Sequence, residues 1–167
     1  MDSKGKGALA SKIVSHVLVV LWMGVIFCFT AQTGDESGNL SSGFTQMLVT
    51  GWNDIFRLGW NETQILAITE SLGYPIRKMA HMTEFGVLAV LIWSALKYYT
   101  QINTMKKHYT VSWIAAVGYA MTDESHQLFV EGRSGNLFDV GVDAAGAFVA
   151  LVLVYGIRLI LTKIRKR

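Results

Sequence analysis

The chain has 167 residues, of which 51% are hydrophobic and 16% charged, and its mean hydropathy is +0.36. A soluble domain carries about a quarter charged residues, so this composition argues against a soluble globular protein and for a membrane-embedded one. The length predicts one domain over 1–167; the single cysteine, Cys28, excludes an intramolecular disulfide; and the net charge of +3 is informative only through its distribution.

Four segments approach the ~20 mostly apolar residues that a membrane helix needs. The first, 13–30, reads IVSHVLVVLWMGVIFCFT. Basic residues precede it, but its apolar run is long for a signal peptide and FCFTAQ is a poor cleavage site, so it reads as a retained anchor. Cys28 within it is an inert small hydrophobe, and His16 a satisfied intramembrane or interfacial imidazole. The connection 31–76 is too long for a turn. Its stretches GFTQMLVTGWNDIFRLGW and NETQILAITESLGYP predict two short amphipathic helices on the membrane surface, with Trp52 and Trp60 at the interface. Asn61 caps the second, and Gly73 to Pro75 ends it. This connection is either a surface-lying link or a lid.

The second span, 78–99, starts with polar residues in RKMAHMTEF; the third, 109–130, finishes with them in TDESHQLF; the fourth, 139–161, starts DVGVD. The link EGRSGNLFD between the last two is a tight re-entry that brings Arg133 beside Asp123, Glu124 and Asp139. His108 falls at the inner boundary, and His126 neighbours the polar residues without sharing their face. The predicted fold is all-α: a polytopic membrane protein of four transmembrane helices with short amphipathic helices in the first long loop.

The charges orient it. Lys4, Lys6, Lys12, Lys97, Lys106, Lys107, Arg158, Lys163, Arg165, Lys166 and Arg167 share their side with one acid, Asp2. Arg57, Arg77, Lys78 and Arg133 share theirs with the other eleven acids. The positive-inside rule then puts both termini in the cytoplasm. The polar ends of spans two, three and four consequently meet at one depth near the outer boundary, where intramembrane charges turn toward the bundle interior or a watery cavity. At ~100° per residue, Lys78, His81 and Glu84 fall within about 120° on one helix face, and Asp123, Glu124 and Gln127 within about 100°. Asp139 and Asp143 are one turn apart, and the small residues Gly146, Ala147 and Ala150 continue their side, which favours close helix packing.

These residues make the chain recognisable. Lys78, His81, Glu84 and Phe85, followed by Asp123, Glu124, Gln127, Phe129, Gly132, Arg133, Asp139, Asp143 and Gly146, resemble the two-part motif of the VanZ family of bacterial membrane proteins. FTAQTG at the end of span one is similar to the family's Ser/Thr-rich turn, with Ala31 where Ser is usual. The resemblance covers all four spans and is weakest over the outer connection. It implies the bacterial cytoplasmic membrane and a link to low-level resistance to teicoplanin-type lipoglycopeptides, but brings no settled reaction and leaves the cofactor unknown.

Three functions suit the polar site. In the first, Lys78, His81 and Arg133 hold an anionic group of a lipid-linked cell-wall intermediate or of a lipoglycopeptide, with Gln127, Asp139 and Asp143 completing the ligand site. Glu84, Asp123, Glu124 and His81 then supply acid–base groups. In the second, His81 with Glu84, or Asp139 with Asp143, ligates a metal in a hydrolase or transferase, although neither a His pair nor a Cys cluster is present. In the third, the charges only lock the bundle. Transport is disfavoured, because the charge lies at one end and leaves no polar path; Arg158 snorkels to lipid phosphates. The basic KIRKR tail is a topology anchor, and no nucleic-acid motif accompanies it.

Overall fold

A computed structural model of the chain describes residues 3–99 and 104–165. Asp2, Lys166, Arg167 and the side chains of Lys4 and Lys6, all used in the charge comparison, lie outside the described residues. The described residues form five helices and no strands: α1 (Ser3–Thr30), α2 (Gly34–Phe56), α3 (Glu62–Leu96), α4 (Met105–Gln127) and α5 (Leu137–Arg165). Three are long and apolar enough to cross a membrane, at Gly7–Thr30, Glu62–Leu96 and Leu137–Arg165. At 23 residues α4 is long enough, but its basic start and acidic finish keep it out of that group.

The helix starts are chemically marked. Thr33 and Glu36 form a reciprocal capping box on α2, as Asn61 and Gln64 do on α3. The α4 cap is Thr104, which accepts from the Lys107 amide. At α5 the Asn136 side chain accepts from the Asp139 amide and donates back to its carboxylate.

The connection 31–76 departs from the sequence expectation. Its first half is one 23-residue helix, α2. Its second half continues without a break into the membrane segment, with Pro75 inside α3. A proline interior to a helix removes one backbone hydrogen bond. Here Ser71, whose carbonyl loses that bond, and Pro75 both lie on the exposed side of the helix, so the carbonyl is not stranded in the interior. At ~1.5 Å per residue α3 is about 52 Å long, more than the ~30 Å that a hydrocarbon core requires.

Cross-helix contacts define the bundle. Residues 81 and 143, 86 and 150, and 93 and 158 face each other, so α3 and α5 run parallel. Residue 22 meets 84 and residue 16 meets 99, so α1 is antiparallel to α3. Residues 23 and 119, and 30 and 123, pair along α1 and α4, which run parallel. The four helices α1, α3, α4 and α5 thus alternate in direction, while α2 folds against α3.

The interior is thin and built from small residues. One cluster joins Ile26, Phe85, Leu88 and Ala120; the other joins Ala89, Ala116, Ala147 and Leu151. A Cβ at Gly146 would overlap the Met82 backbone, and one at Gly86 would press on Ala150 and the Gly146 carbonyl, so these glycines set the close approach of α3 and α5. Outside this seam large apolar side chains such as Ile13, Val20, Leu21, Leu153 and Ile160 are exposed, the inverse of a soluble bundle and the pattern expected in lipid.

Candidate functional site

The polar residues of α3, α4 and α5 converge at one end of the bundle, where two networks separate. The first is a set of satisfied ties. Lys78 pairs with Asp139 across α3 and α5. Asp123, buried on α4, accepts from Thr30 Oγ1 of α1 at 2.8 Å with one oxygen and from Gln127 Nε2 at 3.2 Å with the other. Glu124, also buried, accepts from Gln127 Nε2 at 3.1 Å and from the Asn136 amide at 2.9 Å. Both carboxylates are therefore engaged on both oxygens.

The second network faces a cavity of about 350 Å³ between α1, α2 and α3. Arg77, His81 and Glu84 reach it from successive turns of α3, Arg133 from the α4–α5 loop, and Ser37 and Ser41 from α2; Phe29, Leu40, Phe44 and Ile76 supply its apolar wall. The buried Nε of Arg77, Oε2 of Glu84 and Oγ of Ser41 have no hydrogen-bond partner. Below them His81 Nδ1 lies 3.9 Å from Asp143 Oδ1, and neither oxygen of Asp143 has a hydrogen bond.

Arg133 is held from the outside. Its Nε donates to the Gln32 carbonyl at 3.1 Å and its Nη2 to the Phe29 carbonyl at 3.0 Å, so it closes the C-terminal end of α1. The same loop docks on the start of α2: the Gly34 amide donates to the Glu131 carbonyl at 2.9 Å, and a Cβ on Gly34 would overlap the Gly132 backbone. Gly132 has φ +71°, a conformation suited to glycine. Burial, together with Arg77 nearby, lowers the Arg133 guanidinium's proton affinity, while Asp123, Glu124 and Glu84 act in the opposite direction. A guanidinium stays charged under such a shift.

The nine residues singled out in the sequence thus occupy one end of the bundle but sort unequally. His81, Glu84 and Arg133 line the cavity; Lys78, Asp123, Glu124, Gln127 and Asp139 form the ties; Asp143 is buried behind His81. Among the described residues Arg133 forms no ion pair with Asp123, Glu124 or Asp139; two of its five donors go to the Phe29 and Gln32 carbonyls at the end of α1. Sequence reasoning gave no role to Arg77, Thr30, Gln32 or Asn136. Asn136 was signalled by its capping spacing to Asp139 ahead of an apolar run. Arg77 stands directly before Lys78, but nothing in its spacing marked its direction. Among the described residues no three His, Cys, Asp or Glu side chains converge into a metal-binding group. His126 packs its ring on Phe27, centroids 4.6 Å apart, with Nδ1 buried and unpartnered. His16 is satisfied by the Lys12 carbonyl and the Tyr99 hydroxyl.

No curated protein and no solved structure matches the chain. One family description does, VanZ/LLP1, whose model matches residues 16–161, from the middle of α1 almost to the end of α5. That span contains every residue of both networks, and the chain belongs to the VanZ/LLP1 family.

Proposed function

We propose that the cavity binds the phosphate-bearing end of a lipid-linked cell-wall intermediate at the outer leaflet, and that the protein thereby contributes to resistance to teicoplanin-type lipoglycopeptides. The observation that carries this reading is the convergence of Arg77, Arg133, His81 and Glu84 on one cavity, with donor Nε of Arg77 and acceptor Oε2 of Glu84 both unspent. Two guanidinium groups suit a phosphate or pyrophosphate. The wall of Phe29, Leu40, Phe44 and Ile76 suits the lipid end of such a molecule. Glu84 is the carboxyl placed for proton transfer, and His81 with Asp143 behind it forms the second acid–base pair.

The outward location follows from four crossings, α1, α3, α4 and α5, with both termini cytoplasmic, and 1–167 acting as one domain. The alternating directions of these helices support four crossings, and so does the burial of Asp123 and Glu124 inside the bundle, which lets α4 pass lipid despite its polar finish. The eleven-to-one excess of basic residues on one side supports the orientation. Helix α2 exposes Phe44, Met47, Trp52, Ile55 and Phe56 while contributing Ser37 and Ser41 to the cavity, which fits a surface-lying helix that also serves as its lid.

A structural role is favoured for the other network. The hydrogen bonds to Asp123 and Glu124 and the Lys78–Asp139 pair tie α1, α3, α4 and α5 together and position the cavity wall. Substitution of Glu84 by Gln separates the two readings. Expressed at matched membrane level in a susceptible bacterium, the E84Q protein loses resistance while keeping its thermal midpoint. Retained resistance sinks the acid–base assignment; a collapsed midpoint makes Glu84 structural.

A further inference from the structure

The opposite end of the bundle carries a second feature. Lys12, Lys97, Lys106, Lys107, Arg158, Lys163 and Arg165 gather there, and no described acid accompanies them. Several lie against aromatic rings instead: Lys12 Nζ is 4.8 Å from the Tyr99 centroid, Lys97 Nζ 4.9 Å from Tyr98, and the Arg158 guanidinium 5.0 Å from Trp93. Ring faces stabilise cations without neutralising them.

Between α4 and α5 at this end runs a groove of about 750 Å³, within the size range of small-molecule sites. Its mouth is polar and cationic, with Lys106 and Tyr109; its floor is apolar, with Phe148, Leu151 and Val152. Trp113 bounds it, its Nε1 donating to the Ala144 carbonyl at 2.9 Å. Arg158 borders the mouth, one Nη1 directed at Met105 Sδ at 3.7 Å, a weak acceptor that leaves most of its five donors unspent. Trp93 stacks on Tyr109 with centroids 5.8 Å apart, and Trp93 Nε1 and the Tyr109 hydroxyl are buried without hydrogen-bond partners.

We propose that this groove is a binding site for one anionic phospholipid, whose phosphate sits between Lys106 and Arg158 and whose acyl chains lie along Phe148, Leu151 and Val152. Charge complementarity selects the occupant. Among the described residues the cations have no acidic partner, Arg158 meets only the Met105 sulfur and the Trp93 ring, and the floor offers only apolar contact. A neutral apolar occupant would leave the mouth unsatisfied, and a soluble anion would leave the floor uncovered. The site is independent of the cavity at the other end and requires only that the basic end meet one leaflet.

Native mass spectrometry of the intact protein, after exchange into detergent containing phosphatidylglycerol or phosphatidylcholine of matched chains, tests it. One phosphatidylglycerol is retained in preference to phosphatidylcholine. Lys106→Gln and Arg158→Gln each lower its retention roughly fivefold, while Arg158→Lys preserves most of it. Lys106 is exposed in the first turn of α4, so its variant keeps the test valid should Arg158→Gln fail to fold. Equal retention of the two lipids, or unchanged phosphatidylglycerol retention in both Gln variants, overturns the proposal. So does a dimer of the protein that these substitutions dissociate, since a second copy would then be the occupant.

Discussion

His81 Nδ1 stands 3.9 Å from Asp143 Oδ1, on the bundle side of the cavity, and Asp143 is 1% exposed with no hydrogen bond to either oxygen. That distance is beyond a hydrogen bond, so the imidazole faces the carboxyl without satisfying it. Leaving a buried polar group unmade costs about 1–3 kcal/mol, and more for a charged one. Such a residue persists where function needs it, at the expense of stability.

Asp143→Leu, which replaces both unpaired oxygens by apolar atoms of similar size, is accordingly expected to raise the thermal midpoint of the purified protein by about 2–8 °C while abolishing resistance. A scanning-fluorimetry measurement beside a susceptibility assay checks both halves. A fall in the midpoint would show that the carboxylate supports the fold, and unchanged resistance would remove Asp143 from the site.

The seam between α3 and α5 gives the second prediction. Gly146 faces the Met82 backbone so closely that a Cβ would force the helices apart, whereas a Cβ at Gly141, on the same helix, would meet nothing within 4 Å. Gly146→Ala should destabilise by about 1–3 kcal/mol through overpacking. Gly141→Ala should stabilise by roughly 0.5–1 kcal/mol through helix propensity. Opposite shifts in the two midpoints are expected; equal shifts would mean that helix separation here is not set by Gly146.

Much of this arrangement was legible in the sequence, for identifiable reasons. Helical periodicity put Lys78, His81 and Glu84 on one face, and the charge-bearing ends of three segments had a single economical meeting place. The division of labour was not legible. Whether Asp123 or Glu84 keeps a free oxygen depends on Thr30 Oγ1, 93 residues away in the chain, reaching Asp123, and no local pattern encodes that. Pro75 misled for the converse reason: a proline ahead of an apolar run is a sound helix-stop signal. It is overridden here because the freed carbonyl is on the outer side of a helix anchored by Asn61 at its start and by bundle packing toward its end.

Arg133 provides the third prediction. Its two donors close the α1 terminus through the Phe29 and Gln32 carbonyls, and its fork geometry is what spans both. A lysine keeps the charge but is a compact point donor. Arg133→Lys is therefore expected to lower stability by about 1–3 kcal/mol, the cost of a lost charge-assisted hydrogen bond, and to weaken resistance because the cavity wall shifts. An unchanged midpoint in Arg133→Lys would show that charge alone matters at this position.

The crossing of α4 yields the last prediction, and the most consequential. Its sequence predicts a span over 109–130, but its polar ends keep it out of the helices apolar enough to cross by composition; Lys107 lies near one end of it and Glu131 just past the other, both exposed. If α4 crosses, these two positions lie on opposite sides of the membrane. In a protein whose Cys28 is replaced by Ala, Glu131→Cys and Asp54→Cys should react with an impermeant maleimide on intact cells, while Lys107→Cys should react only after permeabilisation. Labelling of Glu131→Cys and Lys107→Cys from the same side would make α4 a non-crossing helix. It would then also place the cavity and the basic groove on one face of the membrane, which the alternating helix directions argue against.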